Sequence, residues 1–290
     1  MTPNQIGALL MMGSMAAFTL NDTLVKAVGE ALPLSQILVL RGAMASLLIF
    51  ALARYQGSLR MRLAGRDWGL VLLRCLAEAG ATFLFLTALM RMPLANITAV
   101  LQMLPLTVTL GAALLFREAV GWRRMLAILA GFCGMLLIVR PGPEGFDAAS
   151  IFALGAVACV TVRDLATRRM SAAVPSMLVT FMASLSVLTF GLVYSLLQDW
   201  QPVTPGQVGM LAAAACFIFG GYLFSVMTMR VGEVAVVSPF RYTGLIWALF
   251  LGWLIFGDWP DGVTLLGGSL VVAAGLFTLY RERQNRPGKV

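Results

Sequence analysis

The sequence predicts an all-α integral membrane protein: ten transmembrane helices arranged as two inverted five-helix repeats. Composition is the first reason: 60% of the residues are apolar, only 12% are charged, and mean hydropathy is +0.89. A water-soluble domain carries about 25% charged residues. The second reason is length. A hydrocarbon core of about 30 Å needs about 20 apolar residues per helix, and ten such stretches follow one another with short loops between them. The third is repetition. LNDTLVKAVGEALP around Asp22 and Pro33 returns as VRDLATRRMSAAVP around Asp164 and Pro175, both landmarks displaced by 142 residues. MRMPLANITAVLQ from Met90 matches MRVGEVAVVSPFR from Met229, and LLFREAV from Leu114 matches LIFGDWP from Leu254. Five crossings per copy is an odd number, so the second copy must enter the membrane from the opposite side. The expected units are 1–141, 148–283 and a cytoplasmic tail at 284–290.

The first span, 5–28, has no Lys or Arg before Lys26 and a repeat partner at 149–169, so it reads as a retained helix rather than a cleaved signal. The second, 34–54, opens behind Pro33, where a first-turn proline costs little. An Arg-rich interval, 55–68, leads to the third span at 69–90. The fourth, 94–116, contains Pro105; a proline inside a helix frees a backbone carbonyl, which is tolerated where neighbours or a wet cavity satisfy it. The fifth, 122–140, carries Ala127, Gly131 and Gly134 at spacings that suit close helix packing. Pro, Gly and acids then collect in RPGPEGFD at 140–147, a loop composition.

The second copy follows the same plan. The sixth span is 149–169, and Pro175 opens the seventh at 174–197. QDWQPVTPGQ at 198–207 places Trp200 at a membrane–water boundary before the eighth span, 206–229. The ninth, 234–256, contains Ser238-Pro239, and the tenth, 262–281, carries Gly267, Gly268 and Gly275. The fifth and tenth spans hold no buried charge and read as scaffold.

The placement of charge orients the chain. With a cytoplasmic N-terminus, fourteen Lys and Arg fall in inside loops and the tail, against Lys26, Arg91 and Arg140 outside. That bias puts both termini in the cytoplasm. It also accounts for the net charge of +8 without nucleic acid. The four cysteines lie inside spans with no CxxC spacing, and the chain has no histidine, which removes His-based catalysis and imidazole metal ligation. No GxxxxGK[ST] loop occurs, so the chain itself is not an ATP-driven pump. No cofactor is expected, and a lipid-modifying enzyme is disfavoured. The expected partners are a small-molecule substrate and the lipid bilayer, with a homodimer allowed.

Seven ionisable residues lie within spans: Asp22, Arg41, Arg74, Glu78, Arg163, Asp164 and Arg241. Each costs about 2.5–3.5 kcal/mol at a helix centre on insertion scales, so each should be paired or face water. Inverted repeats place a transport site near the midplane between the halves. Asp22 with Arg41 is expected to close the periplasmic mouth, and Asp164 with Arg241 the cytoplasmic one. Ala183 stands where Arg41 does in the other copy, and Gln102 is the counterpart of Arg241. Arg74 and Glu78, spaced i, i+4, read equally as an ion pair or a site. Arg163, followed by Arg168 and Arg169, reads as a basic anchor. Phe18, Phe83, Tyr222, Tyr242 and Trp247 could hold a flat ligand, with Asn21 and Gln102 as polar contacts.

These residues resemble the EamA family of the drug/metabolite transporter superfamily over essentially the whole chain. The resemblance rests on the two five-span repeats. It rests also on an acid ending the fourth and ninth spans, followed by a small residue and a glycine seven later: Glu118, Ala127 and Gly134, then Asp258, Gly268 and Gly275. Ala127 and Asp258 depart from the family's Gly and Glu. The resemblance implies an inner-membrane carrier working by alternating access. NDT at 21–23, LVLRG, LRCLAE, RDLATRR and SPFRYTGLIWAL look most like a bacterial group that includes riboflavin transporters. It therefore implies riboflavin uptake; the alternative is a proton-coupled exporter of amino acids or other metabolites, with Asp22 and Glu78 as coupling sites.

Overall fold

The structure is a computed structural model that describes residues 1–57, 63–117, 121–140, 147–171 and 173–285. Glu118, Arg60, Arg62, most of the RPGPEGFD loop and the last five residues fall outside that set. Among the described residues the chain is helical, without strands, and ten helical segments are long and apolar enough to span a bilayer.

The first half comprises α1 (Pro3–Val28), α2 (Leu34–Tyr55), α3 (Gly65–Leu89), α4 (Leu94–Leu101), α5 (Leu104–Phe116) and α6 (Trp122–Val139). The second comprises α7 (Ala148–Arg169), α8 (Ser176–Ser195), α9 (Pro205–Val231), α10 (Val234–Val237), a 3₁₀ turn (Ser238–Tyr242), α11 (Thr243–Phe256) and α12 (Gly262–Asn285). Local chemistry sets the starts. Thr2 and Gln5 form a capping box ahead of α1, as Thr204 and Gln207 do ahead of α9, each with proline at the first helical position. Asp147 caps α7 by accepting from the Ser150 amide at 3.0 Å.

Packing follows the inverted repeat. α1 lies along α9, and α3 lies along α7; these are one interface seen twice, because α7 is the repeat mate of α1 and α9 that of α3. The self-related pairs α2 with α8 and α6 with α12 complete the two-fold arrangement. Each half thus lends its first helix to the other. At the centre Leu38, Leu86, Leu94, Ile97 and Met103 are at most 1% exposed. The outer surface is apolar, with Leu47 67% and Leu76 63% exposed, the inverse of a water-soluble bundle and the surface that lipid covers.

α6 and α12 approach with backbones nearly touching: a Cβ at Gly134 would lie 2.7 Å from the Gly267 carbonyl oxygen. Small residues are what permit that distance. Outside the bilayer, Arg140 after α6 donates to Asp261 before α12 and ties the two ends. The Asp261 carboxyl is held down at about 2, first by that hydrogen bond and then by the Thr264 amide.

The fourth and ninth spans are each broken. Gln102 and Met103 interrupt the fourth between α4 and α5, where the Met103 amide turns to the Val100 carbonyl in 3₁₀ fashion at 3.1 Å. Pro105 has no N–H for the Leu101 carbonyl. The ninth span narrows to the 3₁₀ turn Ser238–Tyr242, which begins with Pro239 at its first turn. The two breaks occupy corresponding stretches of the two copies.

Candidate functional site

The helix breaks border a central cavity of about 420 Å³, within the range of about 300–1,000 Å³ usual for small-molecule sites. Residues from both halves line it. Asn21, Asp22, Arg41 and Glu78 come from α1, α2 and α3; Asp164, Tyr222 and Arg241 come from α7, α9 and the 3₁₀ turn. Gln102 projects from the break in the fourth span. Ten of the fourteen candidates singled out from sequence therefore share one space, Phe18 and Arg163 among them.

Two polar clusters organise the wall. In the first, Arg41 Nη1 donates to Asn21 Oδ1 at 2.9 Å, and Asn21 Nδ2 donates to Asp22 Oδ1 at 2.9 Å. Asn21 thus stands between the two charges, and Asp22 makes no direct ion pair with Arg41 among the described contacts. Both Asn21 and Arg41 are buried, at 2% and 5% exposure, so each needs the partner it has.

In the second, Arg163 is the hub. Its Nη1 lies 3.3 Å from Glu78 Oε2, and its Nε donates to Asp164 Oδ1 at 2.9 Å. Arg74 Nη1 approaches the same Glu78 oxygen at 3.7 Å, while its Nε donates to Thr167 at 2.9 Å. Tyr222 Oη reaches Glu78 at 3.5 Å, and its ring meets Phe18 edge-on at 5.3 Å. This corrects two expectations. Arg163 is no basic anchor, because its side chain turns inward to the acids on α3 and α7. Asp164 pairs with Arg163 and makes no ion pair with Arg241 among the described residues.

The other four lie elsewhere. Arg74 borders a small side space with Arg41, Glu78 and Tyr222. Tyr242 turns away from the cavity toward Gly275 of α12 and lines an outer groove. Trp247 is 38% exposed and outside the cavity. Successive residues of a 3₁₀ turn point about 120° apart, so adjacency to Arg241 sends Tyr242 to a different face. Phe83 packs on Phe190 and Tyr194 at 5.4 and 5.3 Å. Phe85, not singled out from sequence, lines the cavity instead. A helical-face argument from Glu78 was the signal available: Phe85 is seven residues on, on the same side of α3.

Ten spans in two inverted five-helix repeats, with a charged cavity between the halves and broken helices at its wall, define a membrane transporter. The chain belongs to the EamA-like transporter family, which matches residues 5–140 and 148–280, one copy per half. It is 28% identical to a riboflavin transporter of Vibrio cholerae, covering 97% of this chain and 95% of that one. It is also 28% identical to the pseudopaline exporter CntI of Pseudomonas aeruginosa, over 92% and 94% of the two chains. An S-adenosylmethionine uptake transporter of Rickettsia prowazekii is 23% identical over 95% and 93%. A crystal structure of a protein 18% identical superposes with a TM-score of 0.66, over 97% of this chain and 99% of that one, a similarity of fold.

Proposed function

We propose that this multi-pass membrane transporter is a secondary carrier of the bacterial inner membrane that takes up riboflavin by alternating access, with both termini cytoplasmic. The observation that carries the reading is the cavity wall itself. Aromatic faces from Phe18, Phe85 and Tyr222 stand beside the polar groups of Asn21, Gln102 and Arg241. A flat, largely uncharged ring system with polar edges fits that combination: aromatic faces take its planes and amide or guanidinium donors its carbonyls. The breaks at Gln102 and Ser238–Tyr242 supply the bendable points that an alternating pathway needs. The name and coverage of the Vibrio cholerae relative support the same substrate.

A second reading, proton-coupled export of an amino-acid-derived metabolite, is favoured by one feature. Asp22 lines the cavity with only Asn21 as its hydrogen-bond donor among the described residues, a carboxylate available to a proton. Counterflow in proteoliposomes separates the two. Purified protein loaded inside with unlabelled riboflavin should accumulate radiolabelled riboflavin above empty liposomes, competed by flavins and not by amino acids. Absence of accumulation by folded protein, with amino-acid efflux driven by an imposed proton gradient, would replace the first reading by the second.

A further inference from the structure

The guanidiniums that line the cavity are not all engaged by its acids. Arg41, Arg163 and Arg241 line it against Asp22, Glu78 and Asp164, and Arg74 joins the set through Glu78. The acids are already engaged: Glu78 by Arg74 and Arg163, Asp164 by Arg163, and Asp22 by the Asn21 amide. Arg41 uses one N–H on Asn21. Arg241 is different. It lines the cavity but makes no hydrogen bond or ion pair with any described residue. An arginine inside a bilayer is retained only where something answers its charge and donors.

Arg241 sits on the 3₁₀ turn that interrupts the ninth span, and Gln102 sits at the break in the fourth, 139 residues earlier, the displacement that also relates Met90 to Met229. Both line the cavity. Matching positions of the two copies thus present a neutral amide from one half and an unengaged cation from the other. A bound solute meets different chemistry at the two breaks, which fixes its direction in the site.

We infer that Arg241 is the substrate-docking group of the cavity, and that it takes an edge bearing two coplanar acceptors. A guanidinium offers parallel N–H donors in a rigid fork, which matches two acceptors in one plane and which a lysine ammonium cannot reproduce. Two chemistries provide such an edge: the carboxylate of an amino-acid-derived solute, and the N–C=O edge of a planar heterocycle such as the flavin ring. The inference rests on the transporter reading of this cavity. It assigns Arg241 to binding rather than to gate closure alone.

The test is equilibrium binding of radiolabelled ligands to the detergent-purified full chain, by scintillation proximity. The probes are riboflavin, S-adenosylmethionine and decarboxylated S-adenosylmethionine. Wild type, Arg241→Gln and Arg241→Lys are compared, with thermal unfolding recorded for each. One probe carrying the two-acceptor edge should bind wild type. Arg241→Gln should weaken it by about tenfold or more, with Arg241→Lys intermediate and the unfolding temperatures alike. If both variants unfold early, Gln102→Glu is the second test: its added carboxylate should weaken binding of the same probe.

Riboflavin binding that is indifferent to Arg241→Gln would overturn the docking role and leave the flavin reading standing. Binding of S-adenosylmethionine but neither riboflavin nor the decarboxylated analogue, lost in Arg241→Gln, would uphold docking and retire the flavin. Equal binding with slowed counterflow in the variant would make Arg241 a gate and overturn the inference. So would a folded wild type that binds none of the three.

Discussion

Glu78 on α3 and Arg163 on α7 face each other at 3.3 Å across the helix pair that joins the two halves. Breaking a largely buried pair on one side leaves the other charge short of a partner, and with Arg74 and Tyr222 still beside Glu78 the cost is about 1–3 kcal/mol. Arg163→Gln is expected to lower the stability of the detergent-solubilised protein by a cost of that order. Glu78→Gln combined with it should recover a large part. A double-mutant cycle by thermal unfolding measures the coupling, and additive losses would show that the two residues do not hold each other.

Asn21 carries the link between Arg41 and Asp22. Asn21→Ala leaves a buried guanidinium N–H and a carboxylate oxygen each short of a partner, a loss of about 1–3 kcal/mol. It should also slow counterflow far more than Asn21→Asp, which keeps an acceptor for Arg41. Parallel unfolding and counterflow measurements on both variants decide it.

Gly134 faces the Gly267 carbonyl with no room for a side chain, since an added Cβ would sit 2.7 Å away. Gly134→Ala should force α6 from α12 and cost about 1–3 kcal/mol, as overpacking does. The check is the unfolding temperature of the variant together with its substrate affinity, which should hold because the pair lies away from the cavity.

The Arg140–Asp261 tie has a defined pH window. Asp261 titrates at about 2 in the folded chain against 3.8 as a free group, so its contribution is present above 3.8 and disappears as pH falls through about 2. Asp261→Asn should therefore unfold earlier than wild type at pH 5–7, and the difference should close between about pH 4 and 2. A difference that closed near neutrality would exclude the tie as its source.

Orientation is checked by labelling. In a background without the four native cysteines, a cysteine at Asp199 should react with an impermeant maleimide in intact cells. A cysteine at Arg66 should react only after lysis. The reverse pattern would invert the topology proposed from the fourteen-to-three distribution of basic residues.

The spans were legible because the bilayer imposes one period and one length on the sequence. The fourth and ninth were read at 94–116 and 234–256; they lie at Leu94–Phe116 and Ser238–Phe256, the latter preceded by the short α10. The prolines inside them, Pro105 and Pro239, mark where each helix breaks. Arg163 was misread because its neighbours Arg168 and Arg169 suggest a membrane-edge cluster. Only the crossing of α7 over α3 brings it within reach of Glu78, and that crossing is a long-range property. Trp247 was drawn in as an aromatic near the depth of the buried charges, and depth along a helix does not set the direction in which a side chain points. Which acid each arginine selects depends on side-chain reach across helices, and no local pattern encodes that.

The exchange of first helices between the halves has a consequence for how the protein is made. α1 leaves the ribosome early, but the helix it packs along, α9, begins only at Pro205. At synthesis rates of about 5–20 residues per second, α1 waits on the order of ten seconds or more for that partner. During the wait Asn21 and Asp22 ride in a helix whose final neighbour does not yet exist. Neither half, made alone, has its own complement of interfaces, so a gene split in the RPGPEGFD loop should yield function only when both pieces are produced together in the same membrane.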